Sequence, residues 1–477
     1  MRKEVCGRTA VALSLIVISG VASIRADQQQ TDPLERLRAL EQRVQELQRQ
    51  NETLRGEIEA LRHELQATPV PPAPVESAKA PQPVEAVPTA PEVPIPVPTP
   101  APITIVSGAA GKNFLNLSLD GLIAAGTSTA KDIQALQVGG HDPAQRGFTV
   151  QNVETVFEGA VDPYFRGQAN VVLQLTPRGE TQVELEEAYA TTTSLPKGLQ
   201  VKAGQFFTEF GRLNAQHPHS WDFVDQPLVN GRFFGPDGLR STGVRVSWLM
   251  PTDFYSEALL SVQNSQGETA SSFRSVPGET LFGREIRERP VSSVSDLLIV
   301  PHYAASFDLT DTETLLVGAS AALGPNGTAD TGSSTRIYGV DAFWKWKPTN
   351  AFRGFPFVKI QGELMQRRAS VGASVAQDLR AATFRDRGGY LQINWGYTAA
   401  KILGLRIDRV SGDRGDPIED ALAPRWRVSP ALTWFPTEFS KLRLQYNFDR
   451  RKPFQDDAHS LWLQLEFLLG AHAAHKF

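Results

Sequence analysis

The feature that most restricts how this chain can fold is the rhythm of its connections. Sixteen stretches, 114–125, 148–160, 165–176, 181–193, 199–210, 241–250, 255–264, 296–307, 312–323, 335–347, 355–368, 386–397, 401–411, 424–434, 441–450 and 460–477, alternate apolar and polar residues with the period of a strand. After even-numbered stretches the connectors are short: VDPYF, SLPKG, PTD, LTDT, PTNAFRG, TAA and FPTEFS. After odd-numbered ones they include 126–147, 211–240, 265–295 and 369–385. A soluble sandwich or β-helix has no reason to sort its loops by length. A barrel that crosses a membrane does, with short turns on one side, long loops on the other and an even strand number. The expected fold is all-β, a 16-stranded antiparallel transmembrane β-barrel over 112–477.

Side-chain alternation agrees with that reading. In 335–347, Tyr338, Val340, Ala342, Trp344 and Trp346 share one face, and Asp341, Lys345 and Lys347 the other. In 441–450, Leu442, Leu444, Tyr446 and Phe448 oppose Lys441, Arg443, Gln445, Asn447 and Asp449. One face suits lipid and the other water, so the chain can span a membrane although its mean hydropathy is −0.24. Trp434, Phe435 and Phe439 gather at a short turn, where an interfacial girdle would lie. The C-terminal LWLQLEFLLGAHAAHKF keeps alternating to Phe477, as a last strand closing against NFLNLSLDGLIA would require.

Three segments precede the barrel. Residues 1–26 have a basic start, an apolar stretch from Ala10 to Ile18 and small residues at Gly20 and Ala22, which is the pattern of a cleaved signal peptide. Cys6, the one cysteine, falls in that segment, so no thiol remains for a disulfide or a thiolate metal site. Residues 31–67 carry heptads, with Leu37, Val44, Asn51, Ile58 and Leu65 at a and Leu40, Leu47, Leu54 and Leu61 at d. Branched a residues with Leu at d favour a dimeric coiled coil, here placed in the periplasm. Residues 68–110, rich in Pro, Ala and Val, read as a semi-rigid spacer.

A net charge of −4 excludes an extended nucleic-acid surface. No GxSxG elbow, HExxH pair or phosphate-binding glycine loop occurs, so an enzyme is not expected.

The stretch VELEEAYATTTSLPKGLQVKAGQFFTEFGRLN followed by GLRSTGVRVSWLMP resembles the phosphate-selective porin O/P superfamily. Together with GRLNAQHPHSWDFVDQP, RGFTVQNVETVFEGAVDPYF and the GAHAAHKF end, it is similar to a subgroup of uncharacterised proteins often labelled zinc-regulated TonB-dependent outer-membrane receptors. The resemblance implies a sixteen-stranded, usually trimeric barrel in the outer membrane, surrounded by lipid. It also implies that 211–240 is the loop that folds into the pore. Arg212, Arg232 and Arg240, with Arg245 and Lys202 on the flanking strands, are then the candidate constriction charges.

Within that loop His217 and His219 form an HxH pair near Asp222 and Asp225. Imidazole and carboxylate both ligate zinc, so His217, His219 and Asp222 are the candidate metal set; solvated or hydrogen-bonded histidines are the alternative. His472 and His475 have opposite strand parity and would not share an ion. No other cofactor is expected. Charges expected in the bore are Arg166, Lys202, Arg245, Lys345, Lys347, Lys359, Arg367, Arg406, Arg425, Arg427, Lys441 and Arg443 against Glu154, Glu158, Glu184, Asp341, Glu363, Asp408, Asp449 and Glu466. Their modest basic excess implies a mild anion preference.

The functional expectation is passive passage of small hydrophilic solutes or ions. The alternatives are a zinc-responsive metal receptor or transporter, and a structural protein tethering the envelope.

Overall fold

The computed structural model describes Arg49 and residues 103–107, 113–160, 162–176, 178–329, 331–413, 422–451 and 456–470. The chain divides into a unit Met1–Ile95 and a unit Pro96–Phe477. In the first unit Arg49 is helical. The expected signal peptide, nearly all of the heptad segment, most of the expected spacer, and the tail with His472, His475 and Phe477 lie outside the described residues.

In the second unit β1 (Ile103–Ser107) precedes a barrel. Its first seven strands are β2 (Phe114–Ser128), β3 (Gly147–Ala160), β4 (Phe165–Leu175), β5 (Thr181–Thr192), β6 (Leu199–Phe207), β7 (Arg240–Leu249) and β8 (Tyr255–Asn264). A loop with the small hairpin β9 (Thr280–Leu281) and β10 (Arg284–Glu285) follows. The remaining nine are β11 (Leu297–Thr310), β12 (Glu313–Pro325), β13 (Ser334–Trp346), β14 (Phe357–Val371), β15 (Ala382–Thr398), β16 (Lys401–Gly412), β17 (Arg425–Thr437), β18 (Ser440–Arg450) and β19 (Ala458–Leu469). Each pairs antiparallel with its neighbours, and β19 closes onto β2 from Ser460↔Ser128 to Leu469↔Leu119. The sixteen expected strands are present and the cylinder is closed. Closure removes the unpaired edges that hydrocarbon cannot solvate.

β1 is an addition to the expected architecture. The sequence ITIVS was assigned to the spacer, yet it pairs with Phe114–Leu117 of β2, just beyond the point where β19 stops opposite Leu119. The edge of β2 that β19 leaves open is a ready template, and β-branched residues suit it.

The faces are inverted relative to a soluble protein. On β15, Leu391, Ile393 and Trp395 are exposed while Gln392 and Asn394 are buried. On β16, Leu403, Leu405 and Ile407 are exposed and Arg406 and Asp408 are buried. The same holds on β19, where Leu461, Leu463 and Leu465 point out and Trp462 and Gln464 point in. Such a surface is stable only in lipid, since a contiguous apolar band of this extent in water would associate. No helix among the described residues is long and apolar enough to cross a membrane.

Candidate functional site

The bore is shaped by the segment between β6 and β7. At Thr208 the chain leaves the barrel wall, its hydroxyl donating to Gln263 Oε1 at 2.6 Å, and turns inward. Gly211 makes this turn at φ +60°, where a Cβ would lie 2.0 Å from Glu363 Oε2. Its N–H donates to Ser320 Oγ at 2.9 Å. Further along, α1 (Leu228–Phe234) ends at Gly235 with φ +88°. Its first N–H, on Leu228, donates to Asp408 Oδ1 at 3.1 Å, so a wall carboxylate meets the positive end of the helix. Phe210, Leu228, Val229, Phe233 and Phe234 then pack on Leu298, Val300, Ile337, Met365 and Val410 of the wall. The loop thus carries its own apolar core into the upper bore, against inward residues that the alternation rule alone would have made polar.

The polar contacts of the loop fall on two separate stretches of wall. Toward β14–β18 it presents acids. Asp225 is fully buried and accepts from Arg406 Nη2 (2.6 Å), Arg427 Nη1 (2.8 Å), Gln445 Nε2 (2.8 Å) and Asn447 Nδ2 (2.5 Å). Burial opposes its charge, but the two guanidiniums and these donors outweigh burial and hold the carboxyl below its usual range. Asp222 accepts from Lys359 Nζ (2.5 Å), Gln392 (3.0 Å) and Asn394 (3.2 Å). The loop backbone is also sewn down, with Lys441 donating to the His219 carbonyl and Arg443 to the Trp221 carbonyl, both at 2.8 Å.

Toward β2–β5 the loop presents imidazoles. His217 Nδ1 lies 3.1 Å from Glu154 Oε1 and 2.8 Å from Glu186 Oε2, and its Nε2 lies 2.9 Å from Glu187 Oε2. His219 Nδ1 is 3.1 Å from Glu154 Oε2, and the two rings stack with centroids 5.7 Å apart. Burial disfavours a charged His217, yet the Glu154 and Glu186 carboxylates prevail and hold its pKa well above the ordinary imidazole range. Glu186 and Glu187 both face inward because β5 is bulged there: Asn170 pairs with Glu187 and Val171 with Leu185, leaving Glu186 as the extra residue.

The five expected constriction charges do not form one ring. Arg212 donates to Gln361 at 3.1 Å and lies over the Phe343 ring; Arg232, on α1, reaches Asp386 at 2.9 Å. Arg240 pairs with Glu184 and lies 3.7 Å from Glu186. Lys202 and Arg245 share Glu209, at 2.8 and 2.7 Å. Four of the five meet a carboxylate where they stand, Lys202 and Arg245 sharing one, while Arg212 meets an amide and a ring. The expected metal set is also split. His217 and His219 converge, but Asp222 sits on Lys359 at the other wall, because the chain crosses the bore between Ser220 and Asp222. The groups that meet His217 are instead Glu154, which parity placed in the bore, and Glu186 and Glu187. Only the bulge puts both of the latter on one face, and no pattern in the sequence announces it.

No known family profile matches this sequence. It is 33% identical over 369 residues to an uncharacterized protein of Aquifex aeolicus strain VF5, covering 71% of this chain and 73% of that one. Among solved structures, the outer membrane channel DcaP of Acinetobacter baumannii matches with a TM-score of 0.51 at 11% identity, over 76% of this chain and all of that one. The anion-selective porin from Comamonas acidovorans gives a TM-score of 0.47 at 8% identity, over 74% of this chain and 100% of its own. The DcaP match carries the fold alone, a barrel of the outer-membrane porin type. At the level of sequence, the chain belongs to the same family as the Aquifex aeolicus protein.

Proposed function

We propose that this protein is an outer-membrane channel for passive passage of small hydrophilic solutes or ions, with the segment between Phe207 and Arg240 as its constriction. The observation that carries the reading is that this segment spans the bore, with His217 on the carboxylates of β3 and β5 and Asp222 on Lys359 of β14 across the cylinder. Walls of opposite sign create a transverse field, which orients charged or dipolar solutes in a narrow passage. An anion preference belongs to the same proposal. Lys345 and Lys359 are direct cross-strand partners, with Lys347 and Arg212 as further cationic neighbours. The reading aligns the chain with the phosphate-selective porin O/P superfamily it resembles, and places the 31–67 helix in the periplasm.

Planar-bilayer recordings of the folded, detergent-purified full chain test this. Discrete conductance with an anion-selective reversal potential is expected, and replacing 212–238 by a short Gly-Ser linker should raise the conductance. Silence from both proteins would overturn the channel, and a reversal potential near zero would remove the anion preference. Cross-linking of the same sample decides between three chains, as the resemblance implies, and two, as the heptads imply.

A further inference from the structure

The cluster around His217 has a geometry that neither ion passage nor loop anchoring requires. Glu154 on β3, Glu186 on β5 and His217 on the loop each offer a ligand atom, and these atoms lie within 4.8 Å of one another. All three residues are at most 2% exposed. The two measured His217–carboxylate separations, 2.8 and 3.1 Å, come close to the edge of a tetrahedron around a small cation. Bonds of about 2.0–2.1 Å to nitrogen and oxygen give edges of roughly 3.3 Å, so ligation needs only a slight expansion.

The surroundings are organised in the same sense. The other imidazole nitrogen, Nε2, is 2.9 Å from Glu187, the carboxylate–histidine arrangement that orients metal-bound imidazoles. On β2, Asp120 is directly opposite Glu154 in the ladder and 1% exposed, with neither carboxylate oxygen hydrogen bonded. Its foremost charged neighbours are His219, Glu466, Lys441 and Glu154. A buried carboxylate without a donor beside the histidine-paired Glu154 is costly unless a cation offsets it. The further groups in contact with the cluster include His219, His141 at 3.8 Å from Glu186, Asn152 and Asn170, which donate to Glu154, and Arg240 at 3.7 Å from Glu186.

The geometry points to a divalent-cation site of the zinc class, in which Glu154, Glu186 and His217 Nδ1 are ligands and Glu187 holds the imidazole. Mixed oxygen and nitrogen donors at close tetrahedral spacing suit zinc and cobalt(II) and do not suit calcium or magnesium, which take six or more oxygens. The ion would bridge the loop to the wall. This inference does not need the barrel to conduct, so it stands or falls separately from the channel reading.

Chelator-treated full-length protein, folded in detergent, is titrated with zinc chloride and with cobalt(II) chloride. One ion per chain is expected, and cobalt should give the intense visible absorption of a four-coordinate site. Glu154→Gln/Glu186→Gln should weaken binding at least 100-fold. Asp222→Asn should leave it unchanged, since Asp222 sits on Lys359 at the other wall. Wild type that binds no stoichiometric ion, or a double variant with unaltered affinity, would overturn the site. If the double variant loses its heat-resistant migration on gels, Glu187→Gln keeps all three ligands and carries the test. About a 10–100-fold loss is expected of an outer partner, and an unchanged affinity counts against the site.

Discussion

On the β14–β18 side of the bore, the wall supplies its own counter-charges: Arg367 meets Asp386, Arg406 meets Asp408, and Arg425 and Arg427 share Asp449. On the β2–β5 side, Asp120, Glu154, Glu184, Glu186 and Glu187 have no basic residue of their own sheet segment in contact. They depend on His217 and His219 from the loop and on Arg240, where the loop rejoins the wall. The first wall would keep these four ion pairs with the loop withdrawn, while losing Asp222 from Lys359 and Asp225 from Arg406 and Arg427. The second has no such pairs of its own, and that asymmetry says which contact holds the loop in place.

The sharpest way to break this comparison is to remove the cation from the dependent wall. His217→Ala leaves Glu154, Glu186 and Glu187 buried with less positive charge, and breaking a buried pair in this way costs about 3–5 kcal/mol. Loop cleavage under limited proteolysis should therefore rise steeply. A cleavage rate equal to wild type would show that the acidic wall does not rely on the loop.

Asp225→Ala is the matched change on the other side. It should cost less, about 1.5–3 kcal/mol for lost hydrogen bonds to charged groups, because Arg406 and Arg427 keep Asp408 and Asp449. An Asp225→Ala effect exceeding that of His217→Ala, read by the same proteolysis, would reverse the proposed asymmetry.

A smaller effect is expected from pH. Asp142 ties the β2–β3 loop to the constriction by accepting the Gln226 N–H at 2.8 Å. Burial first, then the nearby Asp225, push its carboxyl up to about 7, against the pull of the Gln226 and Gly139 N–H groups and Arg427. A raised folded pKa means that the stability this group contributes is complete below its ordinary 3.8 and is lost as pH climbs through about 7. Conductance should then increase between pH 5 and pH 8, and Asp142→Asn should flatten the profile. A slope that survives in Asp142→Asn would place the titrating group elsewhere.

The smallest effect concerns Lys345, which contacts no acid among the described residues. Lys345→Gln should move the reversal potential slightly toward zero and leave proteolysis unchanged. A shift toward stronger anion selectivity would contradict the sign assigned to that stretch of wall.

Much of this architecture was legible because it is local. All sixteen strands, the sorting of short and long connectors, and the inward position of Glu154, Arg406, Arg427 and Asp449 follow from a period of two that each strand states for itself. The candidate site was legible in part. HPHSWDFVD advertised ligating residue types, and nearness along the chain suggested that histidines and aspartates act together; in the fold they face opposite walls. The apolar half of the loop, LVNGRFFG, was visible as sequence, but its packing surface is assembled from strands β11 to β16.

Taken alone, the sequence settled that this chain makes a closed barrel with a lipid-facing exterior, because alternation and loop length are written within a few residues of each position. Only the tertiary structure decided which charges meet. The bulge at Glu186 turns two neighbouring carboxylates to the same side, and the loop's path joins residues more than a hundred positions apart. Both depend on how the whole cylinder packs, a balance of burial and ion pairing to which no single segment holds the key.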